Sequence, residues 1–169
     1  MSIPNTTQSN VFVYGTLKRE MFNHKMLTNG GVNSSRFVGG AETSQPYTFS
    51  LFLSQYGFPY LVENEASSSP IGTVVRGELY VVNEDKLAEL DVLEDVASGL
   101  YERRVINVEL LTDDNDEKVS KVGGEKKIIS AFAYVAGEKE DKSTLARIQE
   151  YTKDIQDEKY IPKIDRGKR

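Results

Sequence analysis

The ten residues VFVYGTLKRE, at positions 11–20, join a short apolar run to a glycine and two cations. Valine, phenylalanine and tyrosine in unbroken succession are typical of a strand that is buried on both faces. Gly15 lets the backbone turn sharply at the end of such a strand, and consecutive N–H groups in a turn can bind an anion. Lys18 and Arg19 would add positive potential there. The stretch therefore predicts a buried strand followed by either a plain turn or an anion-binding loop.

A second informative stretch, LDVLEDVASGLYERR, occupies positions 90–104. Its first part belongs to a predicted helix over 84–96, which begins after Asn83, a residue type that caps helix N-termini. At about 100° per residue, Glu94 falls on the same stripe as the apolar side chains of Leu87 and Leu90. Burial on that stripe would raise the pKa of the carboxyl group and make it a candidate base near neutral pH. The alternative is that Glu94, close to the helix end, reaches water.

The rest of the pattern predicts many strands and one further helix. Strands are expected at 36–39, 47–53, 59–63, 72–82, 102–111 and 128–135. The helix is expected at 143–155, and the charged stretch 112–127 is expected to be the solvated loop of a hairpin. The polar residues 1–10 are expected to be disordered. This order predicts a single α+β domain, 1–169, with a strongly curled or closed mixed sheet.

Composition removes several classes of protein. The chain has 169 residues, a formal charge of −5, no cysteine and one histidine, His24. Thiolate catalysis, zinc fingers and iron–sulfur clusters are excluded, and we expect neither a metal nor a cofactor. The acidic balance argues against a nucleic-acid partner, and no apolar run is long enough to suggest a membrane partner. With no signal sequence evident, a cytoplasmic location is expected.

The two quoted stretches together resemble the γ-glutamylcyclotransferase-like superfamily, closest to the γ-glutamylamine cyclotransferases and their plant-type avirulence-induced relatives. The segments GFPYLV at 57–62, RGELYVV at 76–82 and YIPKIDR at 160–166 follow in the expected order. The resemblance implies a small mixed β-barrel with flanking helices. It also implies cleavage of a γ-glutamyl amide by the substrate's own α-amine, with release of 5-oxoproline and a free amine.

The resemblance also assigns residues and partners. It places the catalytic carboxylate on Glu94 and the substrate-binding loop on Tyr14, Gly15, Thr16 and Leu17, with Tyr101 at the pocket border. A small γ-glutamyl substrate, no cofactor and a monomeric chain are implied. The sequence departs from the family pattern at Glu20, where the family has glycine after Lys-Arg. It also has about one residue more between the catalytic carboxylate and the following tyrosine than the animal enzymes.

Several alternatives stay open at this level. The fold could serve a non-catalytic or regulatory module that binds a small molecule, and the leaving amine is not determined. Asp91 either orients Glu94 or hydrogen-bonds a neighbouring loop. Glu78 is expected to point outward or to pair with Arg76 or Arg103. His24 is expected in a surface loop, and the tail from Tyr160 either frays or crosses the barrel mouth.

Overall fold

Eight strands and three α-helices make up the part of the chain that the computed structural model describes, residues 7–45, 48–64, 74–120, 122–137, 142 and 144–167. The strands are β1 (Gln8–Val13), β2 (Ser35–Thr43), β3 (Phe49–Leu53), β4 (Pro59–Glu63), β5 (Arg76–Asn83), β6 (Tyr101–Leu110), β7 (Ile128–Ala136) and β8 (Ala146–Ile148). The α-helices are α1 (Lys25–Thr28), α2 (Glu84–Leu93) and α3 (Lys153–Lys159), and 3-10 turns cover Val96–Ser98, Val122–Gly124 and Lys163–Asp165.

Five of the strands close into a barrel in the order β1-β5-β2-β6-β7. Their pairings are antiparallel except that of β1 with β7, which is parallel and closes the barrel at Val11 and Phe132. Strands β4, β3 and β8 form a separate antiparallel sheet in that order. The predicted α+β fold, a small mixed barrel with flanking helices, is confirmed.

Strand β1 is buried on both faces, as its sequence predicts. Phe12 packs into one apolar cluster with Leu79, while Val11 and Val13 belong to a second cluster that also holds Leu90 of α2. Full burial of a leucine side chain stabilises the fold by about 1.5–3 kcal/mol. Leu90, which is 0 % exposed, therefore fixes α2 against the barrel beside β1.

Helix α2 begins where the sequence predicts and ends earlier. The Asn83 side chain accepts a hydrogen bond from the Lys86 N–H at 2.8 Å, as an N-cap does. The last α-helical residue is Leu93, not residue 96, because Asp95 adopts a left-handed conformation with φ 50°. The chain then turns through Val96–Ser98 into β6. Glu94 consequently sits at the reversal, not inside the helix.

The prediction of one helix over 143–155 is wrong. Ala146–Ile148 instead form β8, which adds to the edge of β3. Backbone hydrogen bonds to that edge are available only in the folded chain, and they outweigh the helical periodicity of this segment. Helix α3 starts after Thr152, whose hydroxyl accepts a hydrogen bond from the Ile155 N–H.

The expected disorder of residues 1–10 is wrong for Gln8–Asn10. These three residues pair with Val81–Asn83 of β5, so ladder hydrogen bonds order them despite their polar side chains. Residues 1–6 lie outside the described part of the chain.

The charged stretch 112–127 joins the antiparallel strands β6 and β7, as predicted for a hairpin loop. Its Asp116 carboxylate accepts two hydrogen bonds from the guanidinium of Arg19, at 2.8 and 3.1 Å. Arg19 also binds Glu78 through its backbone N–H and its Nε. The expected partners of Glu78, Arg76 and Arg103, are therefore wrong, because the turn after β1 brings Arg19 to Glu78 first.

Glu20 occupies a backbone conformation that suits glycine. Its φ is 68°, in the left-handed region that costs an ordinary L-residue roughly 1–2 kcal/mol. We therefore expect Glu20→Gly to raise the free energy of unfolding by about 0.5–1 kcal/mol, measured by urea denaturation. The matched variant Glu20→Ala still has a side chain in the left-handed conformation and keeps the strain. An equal increase in the free energy of unfolding in both variants would contradict the explanation by backbone strain.

Candidate active site

A cavity of about 130 Å³ opens beside the end of β1. Four segments meet around it: the loop after β1, the end of α2, the turn between β3 and β4, and the C-terminal segment. The residues singled out from the sequence, Tyr14, Gly15, Thr16, Leu17, Glu94 and Tyr101, all line this cavity. The fold thus brings together side chains that are up to 87 positions apart in the sequence.

Glu94 lies where α2 gives way to the turn, and its N–H still donates to the carbonyl of Leu90 at 2.9 Å. In the described part of the chain, no hydrogen bond or ion pair reaches its carboxylate. Burial raises the pKa of Glu94 to about 7, and the negative charge of Asp95 contributes in the same direction. A carboxyl group that titrates near neutral pH, without a protein partner, can take up a proton from a bound molecule and return it.

Four tyrosines line the cavity, and the hydroxyls of three of them donate to fixed protein acceptors. Tyr14 donates to the Tyr134 carbonyl, Tyr101 to the Pro59 carbonyl at 2.8 Å, and Tyr134 to Asp91 at 2.8 Å. Burial, followed by nearby negative charges, raises the pKa of each well above its ordinary value. These hydroxyls stay neutral at physiological pH, so they shape the cavity and do not compete with Glu94 for its role.

The loop after β1 offers backbone donors to the cavity. Within the described residues, none of the N–H groups of Gly15, Thr16 and Leu17 donates to a protein acceptor, whereas the Lys18 N–H closes the turn onto the Gly15 carbonyl. Asn23 holds the loop through a 2.9 Å hydrogen bond to the Thr16 hydroxyl. Unused N–H groups in succession form a suitable site for a carboxylate.

Asp91 fastens α2 to the barrel and does not touch Glu94. Its carboxylate accepts a hydrogen bond from Arg103 at 2.6 Å and another from Tyr134 at 2.8 Å. Arg103 belongs to β6 and Tyr134 to β7, so both strands hold one residue of the helix. Neither expectation for Asp91 holds as stated: among the described residues its hydrogen-bond partners lie on two barrel strands, not in a neighbouring loop, and none is Glu94.

The C-terminal segment lines the cavity and is anchored to the turn between β3 and β4. The Tyr151 hydroxyl donates to the Gly57 carbonyl at 2.7 Å, and the Ile161 N–H donates to the Tyr56 carbonyl at 2.8 Å. A Cβ on Gly57 would lie 2.1 Å from the Lys159 carbonyl oxygen, so only glycine admits this approach. Tyr160, Lys163 and Arg166 thereby become part of the cavity wall.

His24, the one histidine of the chain, does not line the cavity. His24, which was expected in a surface loop, is half-buried just before α1, and its Nδ1 lies 2.9 Å from the Leu17 carbonyl, so it also supports the loop after β1. Among the described residues, no group of three or more His, Cys, Asp or Glu side chains could hold a metal ion. No helix in the described ranges is long and apolar enough to cross a membrane.

Among the residues that line the cavity and that sequence reasoning missed are Tyr134, Asn23, Lys163 and Arg166. Tyr134 lies in an apolar strand that gave no functional signal. Asn23 lies in a polar loop where many residues look alike. The motif YIPKIDR did contain Lys163 and Arg166, but their positions depend on how the tail docks.

Comparisons with known proteins identify the family and the fold. The family model described as "Gamma-glutamyl cyclotransferase, AIG2-like" matches residues 11–154. The gamma-glutamylaminecyclotransferase of Homo sapiens is 39% identical over 103 residues, 61% of this chain and 63% of that protein. Gamma-glutamylaminecyclotransferase A of Danio rerio is 35% identical over 109 residues, 64% of each chain. The matched stretch thus spans less than two thirds of these relatives. A crystal structure of an AIG2-like protein from Mus musculus superposes with a TM-score of 0.73 and 25% identity, covering 94% of this chain and 99% of that one.

Gly15 is required because of Pro59, not because of a positive φ. A Cβ at Gly15 would lie 2.7 Å from Cγ of Pro59, so a side chain forces the loop away from the opposite wall. We expect Gly15→Val to weaken binding of 5-oxoproline, the product that the family resemblance implies, by at least about tenfold in calorimetry. Thr16→Ser keeps the hydroxyl that binds Asn23, so it should weaken 5-oxoproline binding less than Gly15→Val does. Equal affinities of the two variants would show that the loop does not shape the binding site.

Proposed function

Because the chain belongs to the γ-glutamyl cyclotransferase, AIG2-like family, we propose that it is a cofactor-free cyclotransferase acting on γ-glutamyl amines or γ-glutamyl amino acids. The α-amine of the substrate would attack its own γ-carbonyl carbon. A new C–N bond closes a five-membered lactam, and the bond from the γ-carbonyl carbon to the leaving nitrogen breaks. The products are 5-oxoproline and a free amine or amino acid.

The observation that carries this proposal is the carboxylate of Glu94, which lies in the cavity wall and has no hydrogen-bond or ion-pair partner among the described residues. The α-ammonium group cannot attack a carbonyl until it loses a proton. In the proposed mechanism the Glu94 carboxylate accepts that proton and then delivers it to the departing nitrogen. A pKa of about 7 suits both steps, because the group is then neither too weak a base nor too weak an acid at neutral pH.

The other polar groups in the cavity wall are less suited than Glu94 to act as the base. The second carboxylate that lines the cavity, Asp95, is paired with Lys163 at 3.0 Å. The hydroxyls of Tyr14, Tyr101 and Tyr134 already donate elsewhere. Glu94 is therefore the carboxylate on this wall best placed to exchange a proton with substrate.

Substrate positioning supports the same reaction. The N–H groups of Gly15, Thr16 and Leu17 are suited to the substrate α-carboxylate, and Tyr101 borders the space beside it. Holding the glutamyl chain bent brings the amine within reach of the γ-carbonyl, and such positioning can supply several kcal/mol of the barrier. A module that only binds its ligand has no need for a buried base, so the non-catalytic alternative is less well supported.

We further propose that the chain acts as a single domain, as a monomer and in the cytoplasm. The cavity supports the proposal of a single domain, because the barrel and the three-stranded sheet both contribute to its wall. Pro59 of β4 meets Gly15 of the loop after β1 there. A substrate panel of γ-glutamyl-ε-lysine, γ-glutamyl-alanine and glutathione, scored for 5-oxoproline release, would identify the leaving group.

Glu94→Gln tests the proposed base. The amide has nearly the same size and fits the same place, but it cannot accept the proton. We expect the rate of 5-oxoproline release to fall by at least about a hundredfold, while 5-oxoproline still binds in calorimetry.

The matched control is Glu84→Gln, an exposed position at the other end of α2. This control should keep the wild-type rate. Near-wild-type turnover by Glu94→Gln would disprove the assignment. Tight binding of 5-oxoproline by a wild type that releases none from any substrate would favour the non-catalytic alternative.

A further inference from the structure

Arg166 is held rigidly in the cavity wall by the C-terminal segment. Its guanidinium carbon lies 4.6 Å from the centroid of the Phe58 ring, 5.2 Å from that of Tyr56 and 5.8 Å from that of Tyr160. Its Nε donates to the Ile161 carbonyl at 2.9 Å. Three aromatic rings and one hydrogen bond therefore fix the plane of the cation before any ligand arrives.

The two terminal nitrogens of Arg166 remain available. Among the described residues, neither Nη1 nor Nη2 has a protein acceptor, although each carries two N–H donors. Lys163, the other cation in the described part of the cavity wall, is already paired with Asp95 at 3.0 Å. A fixed guanidinium with both terminal nitrogens unused matches the geometry of a bidentate carboxylate contact.

Arg166 also lines the cavity in which the proposed reaction would take place. Burial raises the pKa of Tyr101 well above its ordinary value, and the positive charge of Arg166 opposes that rise. The guanidinium is thus close enough to the Tyr101 hydroxyl for its charge to be felt at the cavity wall. Residue 166 lies outside residues 11–154, the stretch that the family model matches.

The number of anion-binding groups exceeds what a glutamyl group needs. A γ-glutamyl amide carries one carboxylate in its glutamyl half, and the N–H groups of Gly15, Thr16 and Leu17 suit it. Arg166 then has no partner in that half of the substrate. We propose that Arg166 binds a carboxylate on the leaving amine, and so makes the enzyme prefer leaving groups that are amino acids over simple alkylamines. This inference rests on the proposed cyclotransferase activity.

Two substrates that differ by a single carboxylate test the proposal. γ-Glutamyl-alanine and γ-glutamyl-ethylamine share every atom of the leaving amine except the carboxylate of alanine. The wild type should have the higher kcat/KM for γ-glutamyl-alanine. In Arg166→Gln, the ratio of the two kcat/KM values should fall by about 10–100-fold, because a charge-assisted bidentate contact is lost. Most of the loss should appear in KM for γ-glutamyl-alanine.

The control is Arg36→Gln, an exposed arginine on β2, which should leave the ratio unchanged. The ratio separates recognition from a structural role, since a displaced tail would lower both kcat/KM values together. An active wild type whose ratio is the same as that of Arg166→Gln would overturn the inference and leave the proposed activity intact. If the wild type releases 5-oxoproline from γ-glutamyl-ε-lysine or glutathione but from neither of these two substrates, the inference is overturned and the proposed activity stands; release from none of the four substrates contradicts both.

Discussion

The rest of the site depends on keeping the carboxylate of Glu94 inside a cavity without a protein partner. Removing an ionised carboxylate from water is costly, and a protein lowers the cost by supplying a cation or hydrogen bonds. Here the described residues supply neither, and burial raises the pKa to about 7. The fold must therefore hold Glu94 in place by other means, since the carboxylate itself contributes no stabilising contact.

Contacts on either side of Glu94 provide that restraint. Leu90 is fully buried against the barrel, and Asp91 is tied to β6 and β7 through Arg103 and Tyr134. After Glu94, the left-handed conformation of Asp95 reverses the chain, and Lys163 of the C-terminal segment pairs with the Asp95 carboxylate. Asp95, whose negative charge adds to the effect of burial on the pKa of Glu94, thus also contacts the C-terminal segment.

Local patterns in the sequence were enough to predict β1 and the start of α2, and they raised an inward position of Glu94 as one of two alternatives. These depend on neighbours within one or two turns of chain, such as Leu87 and Leu90 for Glu94. The helix predicted over 143–155 was wrong because β8 forms only when the edge of β3 is present. Likewise, the partner of Glu78 is Arg19, 59 residues away, and sequence spacing does not reveal such a contact.

The C-terminal part of the site was beyond prediction for the same reason. Arg166 reaches the cavity because Tyr151 and Ile161 bond to the turn at Tyr56 and Gly57, about a hundred residues earlier in the chain. Only the packed structure shows that Gly57 leaves room for the backbone at Lys159. The sequence shows Lys163 and Arg166 in this segment, but their place in the cavity wall depends on how the C-terminal segment packs against the turn.

The most direct measurement of the central claim is the titration of the Glu94 carboxyl group itself. Carbon-13 NMR of protein labelled at the glutamate side-chain carboxyl would follow it, with Glu94→Gln used to assign the resonance. The account predicts an apparent pKa of about 7 in the free protein, well above the ordinary range of a glutamate carboxyl group. A pKa in the ordinary range of about 4–4.5 would contradict it, because the carboxylate would then be solvated or paired and poorly suited to proton transfer.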